Sequence, residues 1–286
     1  NNSTGISSIS GGYSNNASGA GSIALGRSNN AIGDLSTVFG SSNNASATGA
    51  TVVGGSANTA SGATSTTGGK NNTASGESST AFGSNNTASS INAVALGGSN
   101  TVNGANSAAI GASNTVNQDN VFILGSNTRS TQANSVLLGN NTTDKAATAV
   151  AGATIGGFDY FNFSGVASPA NGVVSFGSVG AERQLVNVSA GRLSANSTDA
   201  VNGSQVFEIT EKQNIAIASN TQGITDLNDL VTSINNAGGT GIDTVARGDI
   251  TNLQNTVTGL ATDISSKADQ VDLDATNVNV SNNTTA

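Results

Sequence analysis

Histidine and cysteine are both missing from this chain of 286 residues, and its first 140 positions carry only six charged side chains. A nucleophile with its base, a thiolate or imidazole metal site and a pair of catalytic carboxylates all lack raw material there, so the sequence reads as non-enzymatic. Calcium-binding solenoids place an Asp in every repeat, whereas this region holds Asp34 and Asp119 alone. Two stretches keep residues suited to binding. In "IASNT" Asn220 precedes Thr221, and in "VSNNT" Asn283 precedes Thr284. An Asn buried between paired helices sets their register. Three inward amides can also offer donors to one anion on a common axis, which keeps buried groups paired; an Asn layer bridged by water is the plainer alternative. Separately, Arg247-Gly248-Asp249 spells the integrin-binding tripeptide. Its plainer reading makes Asp249 the cap of the helix that follows.

Those residues need helices to hold them. Ile217, Asn220, Ile224, Leu227, Val231 and Ile234 alternate by three and four, as do Ile250, Leu253, Val257, Leu260, Ile264 and Lys267. These are heptad a and d positions, and β-branched residues at a with Ile also at d lean toward three strands. Gly238, Gly239, Gly241 and Gly248 interrupt the pattern, so the helices are expected to stop and restart near 238–248.

Ahead of the helices lies a repeat. Segments such as "IALG", "TVFG", "TAFG", "VALG" and "FILG" place a glycine at 12, 26, 40, 54, 68, 83, 97, 111, 125 and 139. The spacing is fourteen, with one step of fifteen between Gly68 and Gly83. A disordered linker has no reason to hold a period. An Asn follows within four residues, often doubled as in Asn71-Asn72, and Asn and Gly both tolerate left-handed backbone. Each period is therefore read as two short strands and two tight turns, stacked in parallel into a β-solenoid roughly 45 Å long at the usual strand spacing. Leu25, Phe39, Val53, Phe82, Leu96, Ile110, Leu124 and Leu138 directly precede the glycine. They are expected to point inward, one per coil, leaving Ala24, Ala81, Ala95 and Ala109 outside, where identical rods could pack. So narrow a coil makes one chain marginal. The Asn, Ser and Thr rows are read as a ligand surface or simply as polar turns. No threonine ladder of the ice-binding kind stands three residues before the glycines.

Composition bounds the rest. The net charge of −8 gives no basic patch for nucleic acid or anionic lipid. No segment resembles a signal peptide or a membrane span, and the missing Met suggests a fragment whose export signal and membrane anchor lie elsewhere. Residues 143–180 form a β-rich connector holding five of the ten aromatics, among them Phe158, Tyr160, Phe161 and Phe163, and are expected to pack as a plug.

After the connector comes "AERQLVNVSAGRLSANSTDAVNGSQVF". Glu182, Arg183, Gln184, Asn187, Val188, Ala190, Gly191 and Ser197 through Gln205 resemble the neck of the trimeric autotransporter adhesins with YadA-like heads. Phe207 departs from the tyrosine more usual there. The resemblance implies a mainly β fold plus coiled coil: a left-handed parallel β-roll of 14-residue repeats in a homotrimer over 1–142, the connector, a neck at 181–205 and a trimeric coiled-coil stalk over 206–286. It also implies structural chloride at Asn220, Thr221 and Asn283, with no other cofactor. The implied work is that of a bacterial surface adhesin at the outer membrane, attaching to collagen, laminin, fibronectin or integrin, or to other bacteria in autoaggregation and biofilm. A purely structural spacer, with its binding module elsewhere in the chain, is the alternative.

Overall fold

A computed structural model describes residues 1–237 and 248–267. It divides into two units, Asn1–Ala149 with Ala167–Gln184, and Val150–Val166 with Leu185–Ala286.

The first unit is the expected parallel β-solenoid. A typical coil runs through a five-residue strand, Thr80–Ser84, a tight turn and a two-residue strand, Thr87–Ala88, before a second turn lifts it to the next coil. The long strands stack into an 11-stranded sheet and the short ones into a 9-stranded sheet. Register is in phase, with Thr80 beside Val94 and Phe82 beside Leu96, while Thr87 lies beside Thr101. Residues after Ser14, Ser28, Asn71 and Asn85 can turn sharply because these corner positions adopt positive φ between 53° and 58°, a region that Asn and Gly enter at least cost.

The inside of the coil differs from expectation. Ala24, Val38, Val52, Ala81, Ala95, Ala109, Ile123 and Leu137 are fully buried, whereas Phe39 is 39% exposed, Val53 52% and Leu124 49%. The large residue before the glycine therefore faces outward and the residue before that, Ala, Val, Ile or Leu, faces in, reversing both assignments. The cause is space. Ser79, Ala81, Asn86 and Ala88 already fill one coil with nothing exposed, and a Phe in place of Ala81 would crowd the facing short strand.

The fifteen-residue step also moves. Thr51 pairs with Thr66 and Gly69 with Gly83, so the extra residue sits in the coil that begins at Thr51. Gly54 and Gly55 absorb it at φ 72° and 74°, and a side chain at Gly54 would meet nothing within 4 Å. A fifteen-residue coil is thus accommodated as an outward bulge that leaves the stack in register.

Two columns hold the coils together besides the backbone ladders. Asn15, Asn29, Asn43, Asn58, Asn72, Asn86, Asn100 and Asn114 are almost completely buried at one interior corner. Asn86 Nδ2 donates to Phe82 O at 2.9 Å, to Gly97 O at 2.8 Å and to Asn72 Oδ1 at 3.0 Å. Thr128 and Thr142 replace the amide at the last two coils. Beside them runs the glycine column: a Cβ on Gly83, at φ +116°, would lie 2.0 Å from Gly97 O. Only glycine permits that approach.

The last coil is long. Val173 N donates to Ser135 Oγ across 38 residues, where the repeat would span fourteen, and Val174 then pairs with Val136. The segment 143–180 is divided accordingly: its two ends complete the solenoid and 150–166 joins the second unit. Arg183 closes the end of the stack, donating to Asn140 O at 2.7 Å, to Thr142 Oγ1 at 3.3 Å and to Phe176 O.

The second unit contains an antiparallel hairpin, Ala153–Ile155 with Phe158–Tyr160, and the helix Gly203–Ala237, with further helical residues at 248–267. Asn202 Oδ1 accepts from Gln205 N, and Gln205 Oε1 accepts from Asn202 N, each at 3.3 Å, a reciprocal cap on the helix start. Gln205 also pairs with both backbone groups of Gly191, at 2.8 and 2.7 Å. A Cβ on Gly191 would lie 2.2 Å from Ala200 O. The neck residues singled out in sequence thus interlock with one another. No described helix is long and apolar enough to cross a membrane.

Candidate functional site

The side chains turned out of the long strands make an apolar face. One column runs Leu25, Phe39, Val53, Phe82, Leu96, Ile110, Leu124 and Leu138; the other, two residues earlier on each strand, includes Ile9, Ile23, Val94, Phe122 and Val136. Both columns are half-buried or exposed in one chain. Rows of large apolar side chains on a solvent face mark a surface made for contact.

The short-strand sheet presents the opposite chemistry. Its outward column reads Asn16, Asn30, Asn44, Thr59, Thr73, Thr87, Thr101 and Thr115. Asn16 Nδ2 donates to Asn30 Oδ1 at 2.7 Å, and Asn30 to Asn44 at 3.1 Å. A ladder of five threonines therefore does exist, on the short strands and not three residues before the glycines. The column is uncharged from Asn16 to Thr115, and exposed Arg129 bridges Thr115 as the next rung.

At the closed end of the solenoid a cavity of about 390 Å³ is lined by Lys145, Val174, Phe176, Val179, Glu182 and Arg183, among others. Glu182 is held below the usual carboxylate range by its own backbone N–H and by that of Gly180, which donates at 3.0 Å. In the neck, Arg192 grips Asp199 through Nε at 2.8 Å and Nη2 at 3.2 Å. That guanidinium lowers the Asp199 carboxyl, and the carboxylate raises Arg192 in return. Among the described residues no group of three or more acidic side chains converges in a metal-binding arrangement.

Asn220 is exposed on the long helix, and Thr221 beside it spends its hydroxyl on Ile217 O at 2.9 Å. Asn283 and Arg247 lie outside the described residues. Gly248 and Asp249 are exposed at the start of the helical stretch 248–267. The buried asparagine column was missed from sequence, although its signal was present: in Asn71-Asn72 and Asn85-Asn86 the first turns the corner and the second enters the coil, whereas in Asn15-Asn16, Asn29-Asn30 and Asn43-Asn44 the first is buried and the second faces out.

Along the chain a stack of fourteen-residue parallel coils is followed by an interlocked neck and a long helix. Residues 3–29, 31–57, 60–86, 74–100 and 88–114 match the YadA head domain repeat (2 copies). The matched repeats lie within the solenoid, which is therefore similar to a YadA head. Over 78 residues it is 46% identical to the autotransporter adhesin BtaE of Brucella suis biovar 1 (strain 1330), a match covering 27% of this chain and 10% of that relative. The chain thus spans a small part of that protein's length. Among solved structures, the C-terminal YadA-like domain of a Burkholderia pseudomallei protein is 30% identical, with 49% of this chain and 58% of that one covered and a TM-score of 0.32.

Proposed function

We propose that this chain is the head, neck and first stalk segment of a homotrimeric bacterial adhesin, held at the outer-membrane surface by an anchor elsewhere in the protein. The outward apolar columns carry the reading. Leu96, Ile110 and Leu124 stand in register on consecutive coils, and closing three such faces on one another removes them from water. The short-strand faces then point away from the axis in three copies, so weak contacts to a repetitive target add through avidity. The targets are host matrix proteins, collagen, laminin or fibronectin, or neighbouring bacteria in autoaggregation. In the stalk, Asn220 and Thr221 bind chloride on the axis, and Asn283 repeats the layer.

Light scattering on the fragment, followed by passage over immobilised collagen, laminin, fibronectin and integrin, tests this. A trimer retained on a matrix protein is expected; a monomer overturns the reading. Loss of integrin retention in Asp249→Ala would assign the Arg247-Gly248-Asp249 tripeptide a role. A spacer function is favoured by one observation. The outward column from Asn16 to Thr115 offers only amides and hydroxyls, with a single Arg, Arg129, on the next rung and no aromatic, whereas binding energy usually concentrates on aromatic and Arg anchors. A trimer retained on none of the four supports establishes that reading.

A further inference from the structure

The second unit folds its helical residues back on themselves. Gln254 Nε2 donates to Thr232 Oγ1 at 2.7 Å, across 22 residues of sequence, and Val231 and Val257 are each 6% exposed. Ile217 and Ile224 on the first helix are partly covered, as are Ile250 and Ile264 on the second stretch. At the end of that stretch Lys267 Nζ donates to Gly156 O at 3.2 Å and lies 4.7 Å from the centre of the Phe158 ring. The aromatic hairpin of the same unit therefore holds the returning helix.

The covered residues have a specific place in the heptads. Ile217, Ile224, Val231, Ile250, Val257 and Ile264 are the a positions. The d positions stay open: Leu227 is 45% exposed, Ile234 41%, Leu253 52% and Leu260 51%. A three-stranded coil buries a and d together. One set of a residues cannot pack within its own chain and line a three-chain seam at the same time.

We propose that the folded-back arrangement is the unassembled form of the stalk, an intrachain contact that occupies the a positions until three chains come together and then opens. The inference rests on the homotrimer reading. The contact is self-limiting, because it satisfies half of each seam and leaves the leucines and Ile234 available to drive the exchange. Trimerisation of the heads raises the local concentration of three stalks and tips the balance.

The chain has no cysteine, so Thr232→Cys with Gln254→Cys introduces one unique pair into the full chain, with circular dichroism confirming that the reduced variant folds. Oxidised glutathione joins the two thiols as a disulfide and is itself reduced to two glutathione thiols. Oxidant is added either immediately after dilution from denaturant at low protein concentration, or after light scattering shows a trimer. In an opened stalk the two sites lie on separate helical stretches that no longer pack against each other, beyond the reach of a disulfide. The expected result is an intrachain disulfide in the freshly diluted chain and at least a tenfold lower yield in the assembled trimer. Equal yields in both samples would show that the contact survives assembly, and no disulfide in the unassembled chain would show that it does not form; either outcome overturns the proposal. Should no trimer appear under any condition, the homotrimer reading fails on the light-scattering arm, separately from the disulfide.

Discussion

Asn72 Oδ1 accepts two hydrogen bonds from Asn86, one from its backbone N–H and one from its side-chain amide, both at 3.0 Å. Asn86 Oδ1 serves Asn100 in the same way. Each buried amide is thus bonded both within its coil and to the coils beside it, so the stack is only as sound as every rung.

Asn86→Ala leaves the Asn100 backbone N–H without its acceptor in a dry corner and removes the side-chain bonds to Phe82 O and Gly97 O, which keep their places in the strand ladder. Leaving a buried group unpaired costs about 1–3 kcal/mol, so a loss of about that size is expected in urea unfolding. Thr87→Ala, on the outward face of the same coil, should stay within about 0.5 kcal/mol of the parent.

The glycine column gives a sharper contrast. Gly83→Ala meets Gly97 O at 2.0 Å in a positive-φ conformation, whereas Gly98→Ala enters open space. The first variant is expected to lose its β-type circular dichroism or fail to accumulate folded, and the second to match the parent in both.

The inverted faces can be separated by experiment. Leu96→Glu with Ile110→Glu should leave the β signal of the coil intact and reduce the solution mass from trimer to monomer, because both side chains point away from the interior. Ala95→Leu, aimed into the filled interior, should instead destabilise the coil by about 1–3 kcal/mol.

The chloride proposed for the stalk axis predicts an anion effect. Replacing chloride by gluconate should lower the melting temperature of the parent trimer and leave that of Asn220→Val unchanged. The variant itself should melt higher, since a polar core layer sets register at a cost in stability.

The neck pair sets a pH dependence. Asp199 is depressed in the folded chain by Arg192, so its contribution is complete above the ordinary carboxylate range and disappears as pH falls through the lower folded value. Carboxyl NMR should place the Asp199 midpoint below that of Asp in an unfolded peptide. About 1 M salt should move it back toward normal, because screening shortens to ~3 Å and the pair is solvated.

Much of this architecture was readable before any coordinates. A fixed period needs no knowledge of distant contacts: glycine and asparagine recur wherever a coil must turn, and that spacing predicts stacked parallel strands. The matching neck residues likewise announce a local interlock, since Asn202, Gln205 and Gly191 act within one short stretch. Binding residues were less legible. Asn220 and Thr221 stand out only through their heptad positions, and a polar outer column looks the same whether it meets a ligand or water.

The order of residues along the chain was enough to establish coils of fourteen, a helix with heptad spacing and the absence of imidazole and thiol chemistry. Which side of each strand faces inward was settled only in three dimensions. Alternation along "TAFGS" is equally compatible with Ala81 or Phe82 inside, and hydrophobicity alone favours the phenylalanine. The deciding quantity is the width of a closed coil, whose interior is filled by Ser79, Ala81, Asn86 and Ala88 in one coil and by nothing larger than Ile123 or Leu137 at the inward strand position elsewhere. The same holds for the fifteen-residue step, whose position depends on which glycines pair across neighbouring coils, a relation between strands that one-dimensional spacing does not contain.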